Sequence, residues 1–153
     1  MAATDLADMA ELLGDPEVMA FYSRAKSRSE TLAWIEWNQR LYRERGFGLW
    51  LIETRDAGRF VGDCGLTPQE VNGSVEIELG YHVRSSLQGR GYATEAAAAS
   101  RDYARDVLGL ERLVAIIDPG NVASQRVAEK VGLALETETE HSGKPVRVYA
   151  GRI

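Results

Sequence analysis

The stretch "LQGRGYATEAA", residues 87–97, sets Gly89 and Gly91 directly before a run of helix-forming residues. A helix N-terminus presents backbone N–H groups with no carbonyl partner and the positive end of the helix dipole. Glycines there remove the Cβ atoms that would hold a phosphate away from the backbone. The N–H groups of Gly89, Arg90, Gly91, Tyr92, Ala93 and Thr94 can then form a nest for a pyrophosphate. A tight turn that needs positive φ explains the same two glycines without any ligand.

Two familiar phosphate loops do not fit. A phosphate loop of the Gly-Lys-Ser/Thr type is absent. A dinucleotide fingerprint comes closer, because a strand precedes the loop and Asp118 ends the next strand. Its third glycine position is Thr94, however, and no second strand–helix–strand unit follows.

Carboxylates lie just upstream. In "SVEIELGYHV" (74–83), Val75, Ile77, Leu79, Tyr81 and Val83 alternate with Glu76, Glu78, Gly80 and His82, the pattern of a strand with one apolar and one polar face. Glu78 and Glu76 are candidates for taking a proton, and each is equally a cross-strand partner; His82 on the same face reads mainly as structural. Downstream, "ETETE" puts Glu136, Glu138 and Glu140 on one strand face, a surface that would attract a cation or simply be solvated.

These residues need a scaffold. "TDLADMAELLGDPEVMAFY" reads as two short helical pieces broken at Gly14-Asp15-Pro16. "SRSETLAWIEWNQRLYRERG" reads as a helix with capping-box spacing at Ser27 and Glu30 and an end at Gly46. Strands are expected over 47–53, 59–67 and 74–83, a helix over 91–108 with an apolar stripe that runs to Val107, and a strand over 112–117. A short helix then starts at Asn121 as N-cap and stops at Gly132, and a strand pair closes through Ser142-Gly143. The connection between 75–83 and 112–117 is long enough to make those strands parallel. The expected fold class is α/β, a mostly antiparallel mixed sheet with one parallel pair and helices on both faces, in a single domain over 1–153.

Composition narrows the function. The chain has 153 residues and a net charge of −5, which argues against a nucleic-acid role. It has no apolar run of membrane-spanning length, and its acidic start is unlike a secretory leader. Cys64 is the only cysteine, so neither an internal disulfide nor a cysteine-cluster metal site can form, and no metal is expected; a reducing cytoplasm suits it.

"QGRGYA" matches the Gln/Arg-x-x-Gly-x-Gly/Ala signature of the GCN5-related N-acetyltransferase (GNAT) superfamily, with Gln88, Gly91 and Ala93 at the signature positions. The stretch from 78 to 133, with Asn121-x-x-Ser124 and "Glu-Lys-x-Gly" at 129–132, resembles the branch that includes the ribosomal-protein alanine N-acetyltransferases, as does "GDPEVMAFY" near the start. That branch usually opens with a further strand. Here the first residues already read as helix, so a six-stranded sheet that begins near Phe47, with no strand before Asp5, is expected.

The resemblance implies acetyl-CoA as cosubstrate and direct attack on its thioester by a primary amine. His82 and Val83 would offer backbone groups to the pantetheine arm and the thioester oxygen, and Gln88 to Thr94 would hold the pyrophosphate. The Asn121 amide would touch the pantetheine. Arg84, Arg90, Arg126 and Lys130 would offset phosphate charge. Glu78 would take the amine proton through water, with Glu76 as substitute, and Ser124 would give a hydrogen bond or proton to the leaving thiolate. Cys64 would not be a nucleophile. Monomer and homodimer are both compatible with this reading. A protein that binds acyl-CoA without catalysis would keep the same loop.

Overall fold

The tightest constraint on the sheet is a contact that allows no side chain. A Cβ on Gly62 would lie 2.0 Å from the carbonyl oxygen of His82, so residue 62 must be glycine for the two strands to meet. The computed structural model describes Met1–Ile153. It contains β1 (Leu49–Glu53), β2 (Phe60–Val71), β3 (Ser74–Val83), β4 (Arg112–Ile117), β5 (Ala134–His141) and β6 (Lys144–Arg152) in one sheet of order β1-β2-β3-β4-β6-β5. The helices are α1 (Leu6–Gly14), α2 (Arg28–Arg45), α3 (Tyr92–Asp106) and α4 (Val122–Lys130). β3 and β4 are parallel, with Glu78 opposite Val114. β1–β2, β4–β6 and β5–β6 are antiparallel. The mixed sheet with one parallel pair, its six strands and the helical start before Asp5 are as expected. The chain divides into two compact units, Met1–Gly65 with Tyr81–Ala93, and Leu66–Gly80 with Thr94–Ile153.

In the first unit, α1 buries Met9, Leu12 and Leu13, spaced to share a helical face, against Ile35, Met19 and Phe60. α2 starts where its sequence says it should. The Glu30 N–H donates to Ser27 Oγ and the Ser27 N–H donates to Glu30 Oε2 at 2.8 Å, and Gly46 closes the helix with φ 76°. Arg24 grips Glu30 from outside, and together with the Ser27 N–H it holds that carboxyl well below its usual range.

The expected second helical piece after Pro16 is a series of turns instead. Asp15 accepts from Glu17 N–H through its side chain and from Met19 N–H through its carbonyl, and the chain is back at α1 by Lys26, whose N–H donates to Leu13 O at 2.8 Å. A segment that must return so soon is too short to repay helix nucleation.

Asn38 is fully buried in α2, where it accepts from Leu49 N–H at 2.8 Å and donates to Trp34 O at 3.0 Å. It thereby fixes the start of β1. Asn38→Ala leaves the Leu49 N–H without its acceptor and should destabilise the protein by about 2 kcal/mol, the usual penalty for an orphaned buried polar group; urea unfolding measures it.

In the second unit, Val71, Val114, Val146, Val148 and Ala150 pack together. Two turns close its hairpins. Ser142 (φ 51°) and Gly143 (φ 75°) join β5 to β6, and Asn72 (φ 50°) and Gly73 (φ 81°) join β2 to β3, both central residues having the positive φ that tight hairpins favour. The second turn shows that β2 is longer than its sequence suggests, because Pro68 reads as a strand end. β1 pairs with β2 only from Gly65 back to Phe60, so the missing N–H at Pro68 falls where no β1 partner needs it.

Two apolar residues expected inside lie outside. Val75 is 70% exposed at the start of β3, and Val107 lies beyond the end of α3, 65% exposed. The last helical bond runs from Val107 N–H to Tyr103 O, and Leu110 N–H then donates to Ala104 O past Gly109 at φ 65°.

Candidate functional site

The first unit carries the glycine loop. After a short 3-10 turn at Ser85–Leu87, Gly89 and Gly91 take φ of 74° and 88°, and α3 starts at Tyr92. A Cβ on either glycine would meet nothing within 4 Å. These glycines are therefore not required by packing inside the chain. Their conformation requires them, and they leave the space above the loop clear, which suits a bound anion. Leu87 is buried with Val61 and Val83, and Tyr92 and Ala93 pack on that cluster, so apolar residues on both flanks anchor the exposed loop. Gln88 donates through Nε2 to Val83 O at 3.1 Å; its side chain ties the loop to the end of β3.

Arg84 has another engagement. Its guanidinium donates to Glu11 at 2.8 Å and to Asp8 at 3.3 Å, and it lies over the Phe60 ring at 5.1 Å. Two α1 carboxylates thus offset its charge, while Arg90 is solvent-exposed in the loop.

His82 is buried at 8% exposure. Its Nδ1 meets Asp63 Oδ1 at 2.7 Å and its Nε2 meets Tyr22 Oη at 2.8 Å. Asp63 is fully buried, and its Oδ2 has no hydrogen-bond partner. Burial, together with the charges of Asp63 and Asp5, pushes the Tyr42 hydroxyl well above its ordinary range. Sequence reasoning missed Asp63 and Tyr22. The signal for Asp63 was an acid in the middle of the apolar strand "RFVGDCGL"; Tyr22 gave none.

The second unit carries the carboxylates. Glu78, half-buried on β3, accepts through Oε2 from Thr67 Oγ1 at 3.2 Å. Glu76 is committed elsewhere: Arg112 Nε donates to it at 3.3 Å, and the same guanidinium holds Glu136 at 2.9 and 2.6 Å. Arg112 in turn lowers the Glu136 carboxyl, and Glu136 raises Arg112. Arg147 pairs with Glu138 at 2.8 Å. On the acidic face expected over 136–140, Glu136 and Glu138 are thus paired with arginines of β4 and β6.

Asn121 caps α4 by accepting from Ser124 N–H at 3.1 Å, which uses its carbonyl oxygen and leaves the Nδ2 group for another partner. Ser124 is half-buried one turn into α4; Arg126 and Lys130 are exposed on that helix, and Thr94 is half-buried in α3. Beside Ser124, the buried Gln125 was not anticipated. It donates to Pro119 O at 2.9 Å and accepts from Arg147 and from Tyr149 Oη, each at 3.2 Å. It holds the turn that delivers Asn121. Cys64 is buried in β2 at 3% exposure.

YkkB of Bacillus subtilis is 41% identical over 138 residues, which is 90% of this chain and 80% of that protein. A crystal structure of an acetyltransferase from Agrobacterium tumefaciens is 26% identical, superposes with a TM-score of 0.86, and matches 99% of this chain and 86% of that one. Spermidine N-acetyltransferase of Vibrio cholerae, solved with CoA and spermine, shares the fold at 16% identity and a TM-score of 0.77, over 99% of this chain and 92% of that one. The acetyltransferase (GNAT) domain family matches residues 1–134, a span that takes in the glycine loop, Glu78 and Asn121. The chain belongs to the GNAT acetyltransferase family and is an acetyl-CoA-dependent N-acetyltransferase.

Proposed function

We propose that the acceptor is a primary amine, either a protein N-terminal α-amine or a small-molecule amine, and that the acetyl group passes to it directly from acetyl-CoA. The observation that carries the cofactor side is the exposed loop with two positive-φ glycines and clear space at both Cβ positions. In this reading the loop N–H groups hold the pyrophosphate, the backbone at His82 and Val83 takes the pantetheine arm and the thioester oxygen, and the Asn121 Nδ2 group donates to the pantetheine.

The amine nitrogen attacks the thioester carbon and the carbon–sulfur bond breaks. Glu78 accepts the ammonium proton through water. Ser124 donates to the leaving thiolate. Glu78 is preferred to Glu76 because Arg112 already holds Glu76. A base matters for either kind of amine: at pH 7 an α-amine with pKa near ~7.8 is roughly 10–15% neutral, and a lysine near ~10.4 is roughly 0.04% neutral.

The test is an acetyl-transfer assay against peptides with free N-termini, polyamines, amino acids and aminoglycosides. We expect turnover on at least one primary amine and none on its tertiary analogue. Tight acetyl-CoA binding with no turnover across the whole panel would instead identify an acyl-CoA sensor.

A further inference from the structure

Thr67 places a hydroxyl in the buried part of β2, where it is 3% exposed, and the reaction steps above give it no role. A hydroxyl taken out of water is costly unless it is hydrogen-bonded. Thr67 Oγ1 is bonded on both sides: it donates to Glu78 Oε2 at 3.2 Å and accepts from Gln69 Nε2 at 3.3 Å. All three residues belong to the second unit. Thr67 and Glu78 sit equally far along their strands from the turn that joins Val71 to Ser74, so the hairpin itself brings the hydroxyl to the carboxylate.

The donor and acceptor roles follow from the chemistry of each group. An ionised carboxylate only accepts, so the single hydroxyl hydrogen of Thr67 goes to Glu78. The hydroxyl oxygen is left to accept, and a Gln69 amide N–H fills that role. Donation from behind strengthens donation in front. The mount is stiff as well. Thr67 is β-branched, which restricts χ1, and it precedes Pro68, which favours an extended backbone at residue 67. A glutamate side chain has several turning bonds, and their freedom must be lost before it can serve as a base at one place. A neutral hydroxyl supplies that restraint without setting a further positive charge against the carboxylate, which would weaken it as a base.

We propose that Thr67 is a positioning residue for acetyl transfer: its hydroxyl, backed by Gln69, holds the Glu78 carboxylate in the orientation from which it takes the amine proton. This rests on the reading of Glu78 as the base. Thr67 touches neither amine nor acetyl-CoA in this arrangement, and acts only through Glu78.

Thr67→Val keeps the shape of the side chain and removes the hydroxyl. Spermidine and a peptide beginning with alanine are the first probes, and the best amine of the panel serves as substrate. kcat at pH 7 should fall about tenfold, the size of one hydrogen bond to a charged group. KM for acetyl-CoA should stay within about twofold, and Thr67→Ser, which returns the hydroxyl, should bring kcat to within about threefold of wild type. The same substitution is then made in Glu78→Gln. With the base gone there is nothing left to orient, and Thr67→Val should change kcat by less than about twofold in that background. A hydroxyl that merely stabilises the hairpin would lower the melting temperature and cost the same factor in kcat in both backgrounds, and that result overturns the proposal. Thr67→Ala replaces Thr67→Val in the cycle if the valine variant does not fold. An unchanged kcat in Thr67→Val, with Glu78→Gln slow, defeats this inference alone. A Glu78→Gln variant that matches wild type at pH 7 defeats the base and this inference together, and a wild type that acetylates no amine of the panel defeats the proposed function as well.

Discussion

Gly91→Glu should reduce acetyl-CoA affinity by about 10²–10³-fold and leave the fold intact. The position has φ of 88° and no neighbour within 4 Å of a Cβ, so an added side chain meets no packing obstacle in the protein itself. What it meets is the ligand: a Cβ and a carboxylate in the space assigned to the pyrophosphate. Two like charges about 4 Å apart near a protein surface repel by about 4 kcal/mol, and that alone is of the order of the predicted loss. Gly91→Ala separates the two contributions. It brings the strain of a non-glycine residue at positive φ without the charge, and should lie between wild type and Gly91→Glu. Isothermal titration with acetyl-CoA and circular dichroism on the same samples provide the check. A folded Gly91→Glu protein with near-normal affinity would remove the phosphate nest and reduce the loop to a turn.

How far the sequence revealed this site depends on the range of the interactions. The Ser27–Glu30 capping box, the limits of β3 at Ser74 and Val83, the Asn121 cap and the Ser142-Gly143 turn were all readable. Each is decided by residues within a few positions of one another, where backbone sterics and a single hydrogen bond dominate. The same holds for the glycine loop.

The unreadable parts join distant residues. His82 is 19 positions from Asp63 and 60 from Tyr22, and Arg112 is 36 positions from Glu76 and 24 from Glu136. Alternation in β3 put Glu76 and Glu78 on one face and the family resemblance favoured Glu78, but that the arginine on β4 holds Glu76 was not readable. Alternation also marked Val75 as buried, but a strand end beside the exposed Asn72-Gly73 turn is not covered. Local propensity failed after Pro16, where the return of Lys26 to Leu13 overrides helix formers, and at Pro68, which β2 runs past.

Glu78→Gln should lower turnover by about 10²-fold, a typical loss when a general base is removed. The substitution preserves shape, and the amide oxygen can still accept from Thr67 Oγ1, which in the wild type donates to Glu78 Oε2 at 3.2 Å. That contact is therefore kept, and acetyl-CoA affinity should stay within about twofold, since in the proposed arrangement the carboxylate serves the amine and not the cofactor. The informative feature is the pH dependence. As pH rises towards the acceptor's own pKa the amine arrives already neutral, the base has less to do, and the gap between Glu78→Gln and wild type should close. Ser124→Ala should show no such closure, because a donor to the departing thiolate is needed whatever the state of the incoming amine. Glu76→Gln should behave differently from both. It breaks the Arg112 contact at 3.3 Å and, as an exchange in a half-exposed ion pair, should change stability by less than about 1 kcal/mol while turnover stays near wild type. Turnover of the three variants measured from about pH 6.5 to 9.5 separates base, acid and bystander. If Glu78→Gln matches wild type at pH 7, the proton goes to a solvent water, and the contact between Thr67 and Glu78 is structural.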